Sequence, residues 1–211
     1  MIPMPELLSP PRWVVGILVT GFLWSAAAQV PLAQESCVDP RACVETLHRG
    51  LLELSREQAE TDLDYRYARI EPLIDATHDL DYIAQVAVRR HWVEFSEEER
   101  EAFVRAFSRM SVMTYASRFV KLSEDTFRIL EVNDSGANRA HVLASISRDE
   151  QPDIPIEYLL QEGAEGWRIV NVIADGVSDL ALRRAEYQRI LADDSVEDLI
   201  AHLEQQIEGL R

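Results

Sequence analysis

Four runs of alternating residues between Phe127 and Ala174 are joined by connections too short for a crossover. Phe127 to Asn133 leads through Asp134-Ser135-Gly136 into Arg139 to Ser147. Gln151-Pro152-Asp153 opens Ile154 to Gln161, and Glu162-Gly163-Ala164-Glu165 turns into Trp167 to Ala174. A parallel pair would need a connection of about a dozen residues or more, so each neighbouring pair has to run antiparallel. Val142, Ala144 and Ile146 share one face of their strand, as do Ile154, Ile156, Tyr158 and Leu160 of theirs. On the fourth strand, alternation puts Trp167, Ile169, Asn171 and Ile173 on one face, with Val170 and Val172 on the other. That strand ends at Asp175-Gly176-Val177-Ser178, a sharp turn followed by an amphipathic segment reaching Tyr187.

Helical spacing dominates elsewhere. Pro40 to Ser55 carries Val44, Leu47, Leu51 and Leu54 on one stripe, with Asp39 as N-cap and Pro40 at the first helical position. A second stretch carries Leu63, Tyr67 and Ile70 until Pro72 breaks or restarts it. Asp79 and Asp81 favour the start of a third helix, which bears Leu80, Ile83, Ala87 and Val88 and reaches Trp92. Ser96 and Glu99 form a capping box for a long helix with Phe103, Phe107, Met110 and Thr114 at apolar spacing. Two more helices are expected from Ser178 to Leu191 and from Ser195 to Glu208. Helices packed on one face of an antiparallel meander make an α+β domain.

The N-terminal end has the pattern of a secretory signal peptide. Arg12 closes a short n-region, Trp13 to Trp24 is almost wholly apolar, and Ala26-Ala27-Ala28 supplies a cleavage site. The apolar run is shorter than the roughly 20 residues of a bilayer span. Residues 1–28 are therefore expected to be removed, leaving 29–211 as a single exported domain. Cys37 and Cys43 are the only cysteines, and in an oxidising compartment they predict one disulfide closing a small loop.

The formal charge is −16, and Glu6 and Arg12 cancel within the leader, so the mature chain keeps all of it. Such a surface is repelled by nucleic-acid phosphates and by anionic lipid headgroups, which argues against nucleic-acid partners and stable membrane adsorption.

Few residues suggest catalysis. His48, His78, His91, His141 and His202 are scattered without metal-ligand spacing, and phosphate-binding, nucleophile-elbow and paired-cysteine motifs are absent. His78-Asp79-Leu80-Asp81 is the densest polar cluster and reads as helix capping. The residues therefore predict neither an enzyme nor a metal or cofactor site. Apolar side chains remain, and they either fill a core or line a cavity; periodicity does not distinguish the two.

Three blocks carry a family resemblance. They are Asp79-Leu80 with Ile83, Val88 and Trp92; Ser96, Arg100, Phe103 and Phe107 leading to Tyr115-Ala116; and Gly166-Trp167, Val172, Gly176-Val177-Ser178 and Tyr187, followed by Leu199-Ile200 and Leu203. In order and spacing the chain resembles the MlaC/toluene-tolerance family of periplasmic lipid-binding proteins, auxiliaries of ABC transporters, over roughly residues 40 to 205. It departs where the family commonly has a glycine (Arg89), an aspartate (Asn171) and Asn-Tyr-Arg (Leu182-Arg183-Arg184). The run from Ser178 to Tyr187 is more similar to the hopanoid-associated HpnM branch.

The resemblance implies a four-stranded antiparallel meander sheet with several helices packed on one face around an apolar pocket. It also implies a soluble shuttle for phospholipid, or for a hopanoid or other polycyclic lipid. The implied partners are an inner-membrane MCE-domain protein of an ABC transporter and an outer-membrane lipoprotein complex. A rival reading is an adaptor with a filled core and no lipid; a third is an enzyme using Asn171 with His141 or Tyr158. Alternation and helical spacing nominate Val142, Ala144, Ile146, Tyr158, Ile169 and Ile173 from the sheet as the lipid-contacting wall. From the helices they nominate Ile83, Phe107, Met110, Tyr115 and Phe119.

Overall fold

A computed structural model describes residues 37–57, 62–119, 122, 126–148 and 151–211, which belong to one compact unit. The expected signal peptide, residues 1–28, lies outside the described residues.

Helix α1 (Pro40–Arg56) starts where the sequence caps it, with the Asp39 side chain accepting from the Ala42 amide at 2.8 Å and Pro40 in its first turn. Cys37 and Cys43 form a disulfide across this helix start. Helix α2 (Leu63–Thr77) runs through Pro72 without a break, contrary to expectation. Its buried face of Ile70, Leu73 and Ile74 packs on α1 and α4, and that burial outweighs the lost backbone hydrogen bond. Gly50 lets Leu73 approach α1 closely at the α1–α2 crossing, since a Cβ there would sit 2.3 Å from Leu73 Cδ2 and that side chain would have to shift.

Helix α3 (Leu80–Val88) gives way to a 3₁₀ turn over Arg89–Val93. The capping box then opens α4 (Glu97–Arg118): Glu99 N donates to Ser96 Oγ at 3.3 Å, and Ser96 N donates to Glu99 Oε2 at 2.6 Å. Helices α5 (Asp179–Asp193) and α6 (Val196–Gly209) finish the chain, with Ser178 and Ser195 as N-caps. Tyr187 of α5 sets its ring edge-on to Phe103 and Phe107 of α4, centroids 6.0 and 6.4 Å apart. Among the described residues no helix is long and apolar enough to cross a membrane.

The sheet is β1 (Phe127–Asp134), β2 (Arg139–Arg148), β3 (Gln151–Gly163), β4 (Gly166–Ala174) and β5 (Val177–Ser178), in that order and antiparallel throughout. The described residues thus form five strands where four were expected. Asp175 and Gly176 both have positive φ (50° and 77°), as a two-residue type I′ hairpin requires, and this turns β4 back onto β5. Gly166, at φ 99°, lets β4 pass close under the disulfide: a Cβ would meet the Cys37 carbonyl oxygen at 2.7 Å.

One irregularity re-aims the fourth strand. Leu159 pairs with Asn171 but Leu160 pairs with Ile169, so Val170 is an extra residue, a β-bulge. Beyond it Val172 stands opposite Tyr158 and Ala174 opposite Ile156, which puts both on the helix-facing side. Ile173 stands opposite Glu157 and faces away, overturning its expected inward place. Strict alternation fails because it assumes no insertion.

Candidate functional site

A cavity of about 320 Å³ lies between the sheet and helices α3, α4 and α5. Its sheet wall is Ile146 of β2, Ile154, Ile156 and Tyr158 of β3, and Ile169, Val172 and Ala174 of β4. Opposite stand Ile83 of α3, Phe107, Tyr115 and Phe119 at and along α4, and Leu180 of α5. Val177 and Leu182, 51% and 59% exposed, lie with Arg118 at its solvent side.

Of the nominated wall residues, the structure brings Ile83, Phe107, Tyr115, Phe119, Ile146, Tyr158 and Ile169 together around this space. Val142 and Ala144 share the same sheet face but are sealed within the core, at 0% and 2% exposure. Helix α1 packs on β2, and neither residue lines the cavity. Met110 is half-buried against the core and does not line the cavity, and Ile173 points away. Ile154 and Ile156 were readable from their alternation with Tyr158. Val172 and Ala174 were hidden by the bulge, and His78 by its place in a capping sequence.

His78 is positioned by backbone. It forms a parallel bridge with Ile169, and the next residue's amide, Asp79 N, donates to the Ile169 carbonyl at 3.1 Å. The ring's protonation then follows from its neighbours. Thr77 Oγ1 donates its only proton to the Leu73 carbonyl (2.7 Å), so at 2.9 Å it accepts from Nδ1–H of His78. Nε2 is left as an acceptor and accepts a hydrogen bond from the Tyr115 hydroxyl at 3.0 Å. Burial lowers the His78 pKa to about 4, keeping the ring neutral, and pushes the Tyr115 phenol well above its ordinary range. A matching pair sits nearby: Tyr158 Oη lies 2.9 Å from Nε2 of His48, which burial also lowers to about 4.

The other hydroxyls on the wall are likewise committed. Ser111 donates to the Phe107 carbonyl and Thr114 to the Met110 carbonyl, each at 2.8 Å, the back-bonding usual for such residues within helices. Asn171 Oδ1 accepts from Ser178 Oγ (3.1 Å) and from the Leu180 amide (3.3 Å), pinning the start of α5. The polar groups in the wall thus hold the scaffold and offer the space few free donors. Among the described wall residues, neither the Ser111 nor the Thr114 hydroxyl is hydrogen-bonded to a histidine or a carboxylate. His141 contacts Glu157 at 2.9 Å and is not in the wall, which removes one partner of the enzymatic reading. Among the described residues no three His, Cys, Asp or Glu side chains form a metal cluster.

An antiparallel meander closed by helices over one largely apolar hollow defines an α+β domain built around a pocket for an apolar ligand. The chain belongs to the MlaC protein family, whose profile matches residues 46–205. Among solved structures it is similar to a phospholipid-binding protein from Ralstonia solanacearum in complex with a phospholipid, with a TM-score of 0.72 at 16% identity. That match covers 82% of this chain and 98% of the other. No curated protein matches the chain significantly.

Proposed function

We propose that this protein is a periplasmic lipid carrier, moving phospholipid between membranes as the soluble component of an MCE/ABC transport system. The observation that carries the reading is the continuous, mostly apolar cavity of about 320 Å³ between sheet and helices. A filled core, as a pure adaptor would have, leaves no such space. Family membership and the phospholipid held by the structural neighbour support the same ligand class. Each buried methylene contributes about 0.8 kcal/mol, so shielding one 16-carbon chain from water is worth on the order of 10 kcal/mol. A carrier therefore needs a dry groove more than it needs headgroup contacts.

The disulfide and the leader pattern support export to the periplasm, with residues 29–211 as the mature lipid-binding domain. The charge of −16 discourages lasting adsorption to anionic membranes and favours handover through protein partners with basic surfaces. We assign those roles to an inner-membrane MCE-domain protein and an outer-membrane lipoprotein complex.

Native mass spectrometry of the protein purified from a periplasmic fraction, followed by analysis of the released lipid, tests the proposal. A diacyl lipid mass is the expected result. A hopanoid mass would move the protein to the polycyclic-lipid branch. Protein that stays empty after incubation with vesicles and host lipid extract would overturn the carrier reading in favour of the adaptor.

A further inference from the structure

The charges on the cavity wall are unevenly satisfied. Arg183 donates through Nε to Asp179 Oδ2 at 2.7 Å and lies over the Phe107 ring, 5.0 Å from its centroid, so this cation and this anion neutralise one another. Arg118 is the remaining charged residue of the wall. It is exposed, on the last turn of α4, and makes no ion pair among the described residues. On a chain with 37 acidic and 21 basic side chains, one positive charge among the described wall residues is thus left without an ion-pair partner.

We propose that Arg118 contacts the phosphate of the bound lipid, so that the pocket selects acyl chains carrying a phosphodiester over the same chains carrying an uncharged head. The inference rests on the phospholipid reading and adds a determinant to it. Its geometry is that of a two-part ligand. Ile83, Ile156, Val172 and Phe119 enclose the apolar space, while Arg118 belongs to the same wall and is exposed to solvent. A planar guanidinium with five donors suits phosphate oxygens. The hydroxyls of Ser111 and Thr114, already committed to their own helix, offer a headgroup no competing donor.

The test offers the delipidated protein an equimolar mixture of dioleoyl phosphatidylglycerol and dioleoylglycerol in non-ionic detergent, with bound lipid counted by native mass spectrometry. The wild-type protein is expected to prefer the phosphorylated lipid about fivefold, the upper range for one solvent-accessible ion pair. Raising the salt concentration should narrow that preference. Arg118→Lys should keep most of it, and Arg118→Gln and Arg118→Glu should lose it while dioleoylglycerol loading persists, which also shows that the variants fold. Equal preference in wild type and Arg118→Glu, with both loading lipid, overturns the role of Arg118 and leaves the carrier reading standing. Failure of the wild-type protein to load either lipid overturns both.

Discussion

Nε of Arg66 donates to the Ala116 carbonyl at 2.7 Å, and Nη2 of the same side chain donates to the Phe119 carbonyl at 2.6 Å. A buried cation on α2 thus closes the C-terminal end of α4, where carbonyls lack partners within the helix and the dipole favours positive charge. Phe119 belongs to the cavity wall, so this cap also fixes one side of the pocket. Arg66→Met keeps the apolar length and removes the donors. It should destabilise the protein by about 1.5–3 kcal/mol in urea denaturation, the range for hydrogen bonds to a charged group. It should also speed lipid release, because the end of α4 loosens. Unchanged stability would show that the cap contributes nothing net.

Arg89 is a backbone problem of the opposite sign. It ends α3 with φ 53° and ψ −118°, a conformation in which a side chain is strained by about 1–3 kcal/mol. Glycine would relieve that strain, though it adds roughly 0.5–1 kcal/mol of unfolded-state freedom. Arg89→Gly is therefore expected to raise stability by about 1 kcal/mol, read as a higher urea midpoint with unchanged slope. A lower midpoint would mean that the Arg89 side chain contributes more than its backbone strain takes away.

Stability should also depend on mildly acidic pH. His48 and His78 are lowered from 6.5 to about 4 by burial. Between those values the unfolded chain binds protons that the native protein does not, so stability present above pH 6.5 is lost as pH falls toward 4. At pH 5 the loss is about 2 kcal/mol per histidine. Urea denaturation at pH 7.5 and at pH 5 measures it directly. A flat profile across that interval would mean that neither ring is held neutral.

How far the residues foretold this arrangement depended on whether the signal was local. The capping box of Ser96 with Glu99, the Asp39-Pro40 helix start and the Asp175-Gly176 turn act within a few residues, and all appear where they were expected. Strand β5 went unseen because two residues carry no alternation. Pro72 misled because tertiary packing of Ile70, Leu73 and Ile74 overrides a local rule. Arg89 and Asn171 read as departures from the family pattern, yet each keeps the local geometry or contact: positive φ at Arg89, and at Asn171 a side-chain oxygen accepting two hydrogen bonds. Within the site, the strand faces were legible up to the bulge at Val170. His78 and Arg118 were not, since their places follow from how α2, α3 and α4 meet the sheet.

Ile146 and Val142 lie on the same face of β2, and their environments predict opposite consequences. Ile146 borders the cavity and is half-buried, so Ile146→Glu can keep its carboxylate hydrated while placing charge beside the acyl chain. It should abolish lipid loading in native mass spectrometry while changing the unfolding midpoint little. Val142 is fully buried and away from the cavity, and Val142→Ala removes packing that no ligand supplies. That variant should lose about 2 kcal/mol of stability, within the range for deleting buried methyl groups. Its loading should match the wild-type protein wherever it remains folded. Equal loading by the two variants would show that the acyl chain does not occupy this end of the cavity, and the wall would then have to be redrawn around Val172 and Leu180.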